Sequence, residues 1–271
     1  METLNELQKE IEKILSQFHN PAIGCSFGMD SLVVLHLCLQ VDPNILMVWN
    51  NTLVEYPDTV RFAKQLTKEW KLNLIETKPC RSFWSVIEEY GFPLVRRGDK
   101  KNRKAALATE KCCAILKKQP MMKVMKEKKI DLVIDGLRRM ESWNRRLMKI
   151  RFRFNKTWNV FKFHPLLDWT YDDVWEYIRK NKLPYNSLYD KKLDNYQVHT
   201  GCWCCTLGAR YNKGLGMAHL HKYYPKLWNY LYIKKGFGKV VFQHRFNPDF
   251  FVNENNLEGW LRERPCLFFQ F

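Results

Sequence analysis

The sequence has no apolar run of roughly 18 residues, the length that would indicate a membrane-spanning helix. It also lacks the charged stub, apolar core and small-residue cleavage site of an export signal. Residues 4–18 instead place their apolar side chains on one helical face. Acidic residues are few, with 28 Asp and Glu against 45 Lys and Arg. We therefore expect a cytoplasmic protein that is not associated with a membrane.

A complete disulfide framework is also excluded, because the chain has an odd number of cysteines, nine. The cytoplasm keeps thiols reduced, and a chain of 271 residues buries a core without disulfides. A hydrophobic fraction of 46% excludes a disordered chain. Several of the cysteines therefore need an explanation other than disulfide bonding.

The positive charge is concentrated in one stretch of the chain. Residues 96–162 contain 22 basic and 6 acidic residues, which accounts for nearly all of the net charge of +17. A single basic block interleaved with aromatic residues favours binding to a polyanion such as nucleic acid. A solvated charged face would show the same run of charges, so the block alone does not decide between the two.

Short apolar runs alternate with helical patterns. The predicted strands are residues 22–25, 45–49, 72–76 and 132–134, and the clearest predicted helices are residues 31–40 and 57–70. This alternation predicts an α/β fold with a parallel sheet and helices on both faces, whose ligands bind at the carboxyl ends of the strands. We expect an α/β domain over residues 1–170 and a helical or irregular C-terminal part over residues 171–271 that packs on it.

The turn after the first predicted strand has the chemistry of an anion-binding loop. Its residues are Ser26, Phe27, Gly28, Met29, Asp30 and Ser31. Glycine permits unusual backbone angles, the following helix N-terminus is partly positive, and the two hydroxyls can donate to phosphate oxygens. The Walker pattern is excluded because no Gly-Lys-Ser/Thr follows. An ordinary strand-to-helix turn fits equally well, and Asp30 is a candidate either for holding Mg²⁺ or for capping the helix.

Five cysteines form a second constellation. Cys112 and Cys113 are adjacent, and Cys202 and Cys205 form a C-x-x-C pair that encloses Cys204. Four thiolates can hold a four-iron cluster, whose irons favour sulfur ligands. Zinc also accepts four cysteines, although an adjacent pair fits tetrahedral chelation poorly. Buried, inert thiols and a redox-active C-x-x-C are the other interpretations.

Several ordered motifs together resemble a known family. Ser-x-Gly-x-Asp-Ser after a first strand resembles the PP-loop of N-type ATP pyrophosphatases, and the chain is most similar to the phosphoadenylylsulfate (PAPS) reductase-like branch of that superfamily. Residues 51–59 (NTLVEYPDT) resemble its nucleotide-contacting loop, and residues 136–142 (GLRRMES) its Gly-x-Arg-x-x-Glu-Ser stretch. Residues 169–178 and 185–190 resemble its late helix and the segment that follows. The resemblance implies an adenine-nucleotide alpha-hydrolase-like, Rossmann-like fold with an iron–sulfur-bearing C-terminal part.

The resemblance also implies a nucleotide site. ATP with Mg²⁺ is expected on the loop residues 26–31, with Asn51 and Thr52 contacting the nucleotide. Phe27 stands where many pyrophosphatases have glycine, and Met29 where related members often have lysine. Arg138 or Arg139 is therefore expected to supply the positive charge that the missing lysine would give, and to act with Asp30 in catalysis.

For the cysteines, the resemblance implies a [4Fe–4S] cluster. Lys-Cys-Cys with a later Cys-x-x-Cys-Thr looks like the pattern of the assimilatory adenylylsulfate (APS) reductases and related sulfur-transfer pyrophosphatases. The implied ligands are Cys112, Cys113, Cys202 and Cys205, with Cys204 as a substitute.

Two departures from the reductases shape the expected function. Ser31 is retained where sulfonucleotide reductases usually lose it, which implies that ATP is cleaved between its α and β phosphates. Cys266 is not followed by the Gly-Leu-His of the reductase catalytic tail. With the basic block, the chain looks most like the adenylating component of DNA phosphorothioation systems, which implies DNA as acceptor and a cysteine desulfurase as sulfur donor. An APS or PAPS reductase, a tRNA-thiolating enzyme and a non-enzymatic nucleic-acid-binding scaffold are the alternatives.

Overall fold

The computed structural model describes residues 4–141, 143–193, 196, 198–210 and 214–243. The chain forms two compact units, each assembled from two stretches. Unit 1 comprises Met1–Cys80 and Lys117–Ser187, and unit 2 comprises Arg81–Leu116 and Leu188–Phe271. The expected boundary after residue 170 stays a prediction. Unit 2 takes in Arg81–Leu116 as well as C-terminal residues.

The described residues form twelve α-helices and six strands. The helices are α1 (Leu4–Leu15), α2 (Met29–Leu39), α3 (Pro57–Glu69), α4 (Phe83–Tyr90), α5 (Arg103–Cys113), α6 (Gln119–Glu127), α7 (Trp143–Arg146), α8 (Tyr171–Lys180), α9 (Leu207–Arg210), α10 (Leu215–Tyr223), α11 (Pro225–Asn229) and α12 (Phe237–Gln243). The strands are β1 (Pro21–Cys25), β2 (Leu46–Asn50), β3 (Leu74–Thr77), β4 (Leu132–Ile134), β5 (Phe152–Asn155) and β6 (Val160–Phe163).

All six strands belong to one sheet in unit 1, in the order β3-β2-β1-β4-β6-β5. Every neighbouring pair is parallel except β5, which runs antiparallel to β6 at the edge. The predicted α/β class and the parallel sheet are confirmed, and the four predicted strands correspond to β1 to β4. The β5–β6 hairpin was not among the predicted strands, because its short apolar runs are interrupted by Arg153 and Lys162.

Helices cover the sheet of unit 1. Ala22 and Val48 belong to a buried cluster with Val124 and Met125 of α6. Ile23 is fully buried and points to the opposite face, since successive side chains of a strand alternate. The β1–α2–β2 and β3–α6–β4 crossovers run in opposite directions along the sheet, so right-handed connections place α2 and α6 on opposite faces.

Unit 2 is held together largely by aromatic side chains. The Trp84 ring packs against Trp203 and Tyr230, with centroids 6.1 and 5.1 Å away. Trp228 stacks on Tyr232 at 4.4 Å. Between residues 207 and 243, the described part of unit 2 contains the short helices α9 to α12. Within the described residues, no helix combines the length and the apolar character needed to cross a bilayer.

Candidate active site

The turn between β1 and α2 wraps around the side chain of Ser31. The Ser31 hydroxyl oxygen accepts the backbone N–H groups of Ser26 and Gly28 at 3.3 and 3.1 Å, and donates to the Gly28 carbonyl at 3.0 Å. The side chain of Ser26 lies 3.3 Å from the same oxygen, and Ser31 is buried. Backbone amides that converge on one point at a helix N-terminus are the arrangement by which proteins bind anions.

Phe27 combines a strained backbone with a well-packed side chain. Its φ of 54° lies in the left-handed region, which costs a non-glycine residue about 1–2 kcal/mol. The ring is buried and packs edge-on against Trp49 and Phe62, with centroids 5.2 and 6.3 Å away. Removing a buried Phe side chain typically costs about 3–5 kcal/mol, so packing outweighs the strained backbone.

Asn186 fixes the same loop from a distant part of the sequence. Its side-chain amide donates to the Phe27 carbonyl at 3.3 Å and to the Thr59 hydroxyl at 2.9 Å. Asn186 is 1% exposed, so both bonds are shielded from water. It was not a predicted site residue, although it lies in the 185–190 segment that the family resemblance singles out.

Gly136 brings the turn after β4 into direct contact with the loop. A Cβ atom at this position would lie 2.6 Å from the carbonyl carbon of Asp30 and 2.9 Å from the backbone nitrogen of Ser31. Both neighbours are backbone atoms, which cannot move aside as a flexible side chain would. Only glycine therefore allows the two backbones to approach this closely.

Of the two candidate arginines, the structure places Arg138 at the loop. Its Nε donates to Asp30 Oδ1 at 2.6 Å, and the guanidinium is buried. Arg139 instead pairs with Asp168 at 3.0 Å. The carboxylate of Asp30, predicted as a Mg²⁺ ligand or helix cap, is thus held by Arg138, which sets a fixed positive charge beside the loop.

Arg145 is a second basic residue of the site that sequence reasoning missed. It pairs with Glu141, four residues earlier, and Glu141 also accepts the Arg138 backbone N–H at 3.4 Å. Burial lowers the pKa of Arg145, while the negative charges of Asp135 and Asp30 act in the opposite direction. An arginine stays charged at neutral pH, so Arg145 adds positive charge near the loop. The sequence indicated this pair by its spacing, since side chains four residues apart on a helix are neighbours.

Asp135, at the end of β4, anchors the turn that carries Gly136. Its carboxylate lies 2.6 Å from Nδ1 of His164 and 3.6 Å from the Lys162 ammonium, and it accepts the Leu137 N–H at 3.2 Å. Burial by itself raises the pKa of Asp135. The His164 hydrogen bond and the nearby positive charges outweigh burial and bring the pKa below the ordinary 3.8.

Asn51 and Thr52, the expected nucleotide contacts, follow β2 at the same edge of the sheet, because β1 and β2 are parallel neighbours. The Asn51 side chain accepts the Leu53 N–H at 2.9 Å and donates to Glu76 at 2.7 Å. The Thr52 hydroxyl donates to Glu55 at 2.6 Å. These bonds shape the loop itself; their role in nucleotide binding stays a prediction.

The cysteine constellation lies within unit 2. Cys112 lies in the last turn of α5 and is buried, while Cys202, Cys204 and Cys205 share one turn. The pKa of Cys204 lies well above its ordinary value, mainly because of burial and further because of the neighbouring Cys202, Cys205 and Cys112 sulfurs. The thiols of Cys112, Cys202 and Cys205 therefore lie within electrostatic range of Cys204.

The eight cysteines in the described ranges are all free thiols. Among these residues, no three His, Cys, Asp or Glu side chains are already arranged to hold a metal ion. The donor chemistry of the four neighbouring thiols nevertheless fits an iron–sulfur cluster, whose irons favour thiolates. Cys266 lies outside the described residues.

Comparison with known proteins places this site in context. Residues 20–208 match the phosphoadenosine phosphosulfate reductase domain. The chain is 29% identical over 246 residues to an uncharacterized protein of Methanocaldococcus jannaschii, covering 87% of this chain but only 54% of that longer protein. It is 31% identical to the adenosine 5'-phosphosulfate reductase of Lysinibacillus sphaericus, covering 69% of this chain and 73% of the reductase.

A solved structure shares the fold. The crystal structure of phosphoadenylyl-sulfate reductase from Candida auris, in a phosphate complex, superposes with a TM-score of 0.55 at 21% identity. The superposition covers 74% of this chain and 94% of that chain. The predicted fold class is thereby supported by a known structure as well as by the sheet described above.

The close approach at Gly136 predicts the effect of one added methyl group. Gly136→Ala should destabilise the protein by about 1–3 kcal/mol, because the methyl group would overlap backbone atoms of Asp30 and Ser31. Gly24→Ala is the matched control, since a Cβ there would meet its nearest atom, Val133 Cγ1, at an ordinary 3.5 Å. Urea unfolding of both variants measures the difference. Equal stability of the two would refute the close contact of the backbones.

The lowered pKa of Asp135 predicts a pH-dependent contribution to stability. Because the folded-state pKa lies below the unfolded one, the interaction stabilises the protein above about pH 4 and is lost as the pH falls through the folded value. Asp135→Asn should therefore cost about 2–3 kcal/mol at pH 7, and the difference from the wild type should shrink on acidification. Glu12→Gln, an exposed carboxylate on α1, is the control. A pH-independent difference would contradict the assignment.

Proposed function

The chain belongs to the phosphoadenosine phosphosulfate reductase domain family, and from this membership we propose that it is an ATP pyrophosphatase that adenylylates the DNA backbone for sulfur insertion. The observation that carries the proposal is the loop, whose Ser26 and Gly28 amides converge on the buried Ser31 hydroxyl next to Arg138. ATP carries two more phosphoryl groups than adenylylsulfate, the substrate of a reductase. In this proposal the Ser31 hydroxyl is retained because it interacts with those two groups.

The proposed reaction transfers the AMP group of ATP. A non-bridging oxygen of a DNA phosphate attacks the α-phosphorus, the bond between that phosphorus and the α–β bridging oxygen breaks, and pyrophosphate leaves with the bond electrons. A persulfide sulfur from a cysteine desulfurase then attacks the activated DNA phosphorus, and AMP leaves with the electrons of the broken P–O bond. A thiol cleaves the remaining S–S bond, which releases the phosphorothioate and forms a disulfide. The protein contributes positioning and charge neutralisation rather than covalent chemistry.

Each side chain of the site has a part in this proposal. Arg138, held by Asp30, and Arg145, held by Glu141, offset negative charge on the departing pyrophosphate. Asp30 is the only carboxylate of the loop sequence and is the residue we assign to the Mg²⁺ that accompanies ATP, where the ion would neutralise phosphate charge. Arg139 pairs with Asp168 and contributes indirectly, by fixing the position of the turn after β4.

A second candidate function is the reduction of adenylylsulfate or its 3'-phosphorylated form. The observation that favours it is the 31% identity to a protein named adenosine 5'-phosphosulfate reductase. Reduction of adenylylsulfate does not require a triphosphate-binding loop. It also does not explain the basic stretch of residues 96–162. The two functions differ in their products, pyrophosphate against sulfite, and are separated by one assay.

We further propose that unit 2 holds a [4Fe–4S] cluster on Cys112, Cys202 and Cys205, with Cys113 or Cys204 as the fourth ligand. The neighbouring sulfurs of Cys112, Cys202, Cys204 and Cys205 support this assignment. When bound, the cluster would supply redox-active iron and inorganic sulfide. Its ligands would join α5 to the 202–205 turn.

Removing the Ser31 hydroxyl tests the nucleotide function. Ser31→Ala should lower pyrophosphate release from ATP by roughly 100-fold, because the loop amides lose the group that organises them. Ser16→Ala, a change at an exposed serine at the end of α1, should have no effect. The assay follows α-labelled ATP with a DNA oligonucleotide and detects labelled AMP and adenylylated DNA. Sulfite release from adenylylsulfate without pyrophosphate release from ATP would favour the reductase instead.

Metal analysis tests the cluster. Protein purified without oxygen should be brown and contain about four irons per chain. Cys112→Ser, Cys202→Ser and Cys205→Ser should lose iron, whereas the exposed Cys80→Ser should keep it. Whichever of Cys113→Ser and Cys204→Ser loses iron identifies the fourth ligand. A colourless protein with one zinc, or iron unaffected by these changes, would contradict the assignment.

A further inference from the structure

We propose that the β5 edge of unit 1 is a docking surface for an unpaired stretch of DNA. In this arrangement the phosphates lie on Lys149, Arg153 and Lys156, and a base stacks on Phe154. The inference rests on the proposed function, which makes DNA the acceptor, and it specifies where the strand approaches the active site.

The first observation is an unusual group of exposed apolar side chains. Leu147, Ile150 and Phe154 are 71%, 59% and 46% exposed, and they fall within one stretch of eight residues. Single exposed apolar residues are common on protein surfaces. Here they are interleaved in the sequence with Lys149 and Arg153, and apolar and basic side chains together are the combination that binds single strands. Arg153 and Phe154 are successive residues of β5 and point to opposite faces, so a DNA strand that contacts both crosses the open edge of the sheet.

The Phe154 ring packs against other aromatic rings, which fix its position. Its centroid lies 5.1 Å from that of Phe161, which stacks on Phe152 at 5.3 Å with an angle of 8° between the rings. Phe18 packs against Phe161 at 5.2 Å and closes the cluster. A rigid, half-exposed ring of this kind offers a base a stacking surface without first having to be ordered.

Three positive charges on and beside β5 have no neutralising partner among the described residues. Lys149, Arg153 and Lys156 are exposed, and none of them forms an ion pair with any residue that the structure describes. Arg153 also lies directly across from Lys162 in the antiparallel register. Like charges facing each other across strands are unfavourable, so an added anion would relieve a repulsion that is built into the hairpin.

The surface continues to the candidate active site. Lys162 contacts Asp135 at 3.6 Å, and Asp135 accepts the N–H of Leu137, the residue after Gly136. The strands β4, β6 and β5 are consecutive in the sheet, so β5 lies about 10 Å from β4. A DNA strand lying on β5 would therefore pass about three strand spacings, roughly 15 Å, from the loop that follows β1.

Protection of the edge strand against aggregation is the alternative explanation for these charges. Charged side chains on an edge strand prevent pairing with another chain, whatever their sign. That role accounts for Arg153, but it gives no reason for three exposed apolar side chains among charges that are all positive. The combination favours a polyanion with aromatic bases.

Binding of labelled oligonucleotides to the full chain tests the proposal. The edge variant, Lys149→Gln with Arg153→Gln and Lys156→Gln, should bind single-stranded DNA at least roughly tenfold more weakly in 0.1 M salt, and its slope against log salt should be shallower by about 2. Lys64→Gln with Lys68→Gln and Lys71→Gln removes the same charge from exposed positions on α3 and just after it, outside residues 96–162. This control should bind as the wild type does.

Phe154→Ala tests base stacking separately from charge. It should weaken single-stranded DNA binding by about 5- to 150-fold and leave duplex binding unchanged, because duplex bases are not free to stack on the ring. Unfolding midpoints verify that the variants fold. Equal effects of the edge and control variants, or tighter binding of duplex or RNA than of single-stranded DNA, would overturn the proposal.

The outcomes separate this inference from the proposed function. Edge-dependent DNA binding without pyrophosphate release from ATP would support the docking surface and refute the ATP chemistry. Pyrophosphate release from ATP, together with DNA binding that the edge substitutions leave unchanged, would refute only the docking surface.

Discussion

The candidate site depends on one close contact between two turns. Gly136 brings the turn after β4 against the backbone of Asp30 and Ser31, at a distance that no side chain tolerates. With that contact made, Arg138 reaches Asp30 at 2.6 Å and its charge lies beside the loop. Asp135 holds the same turn through His164 and Leu137. The geometry of the candidate site is therefore a property of two strand ends rather than of the loop alone.

The loop itself combines backbone strain with compensating interactions. Phe27 adopts a left-handed conformation that glycine would adopt without cost, and its ring is packed between Trp49 and Phe62. Asn186 holds the Phe27 carbonyl. A loop fixed in this way needs little reorganisation when a charged ligand arrives, which is the condition under which fixed dipoles stabilise charge most effectively.

Much of the frame was predictable from local patterns, since β1 to β4 are short apolar runs that end at turns, and the loop motif follows β1 directly. The sequence did not distinguish Arg138 from Arg139, because these adjacent residues of the turn after β4 pair with different carboxylates, Asp30 and Asp168. Asn186 acts on Phe27 from a position 159 residues away, which no local pattern reveals. The grouping of Cys204 with Cys112 likewise arises only from the folding of unit 2.

The central claim is that the loop between β1 and α2 binds the outer phosphates of ATP. Equilibrium binding of ATP in competition with inorganic pyrophosphate tests it most directly, because pyrophosphate carries those phosphates and nothing else of the nucleotide. The account predicts that pyrophosphate displaces ATP from the protein. ATP binding that pyrophosphate leaves unchanged would contradict it.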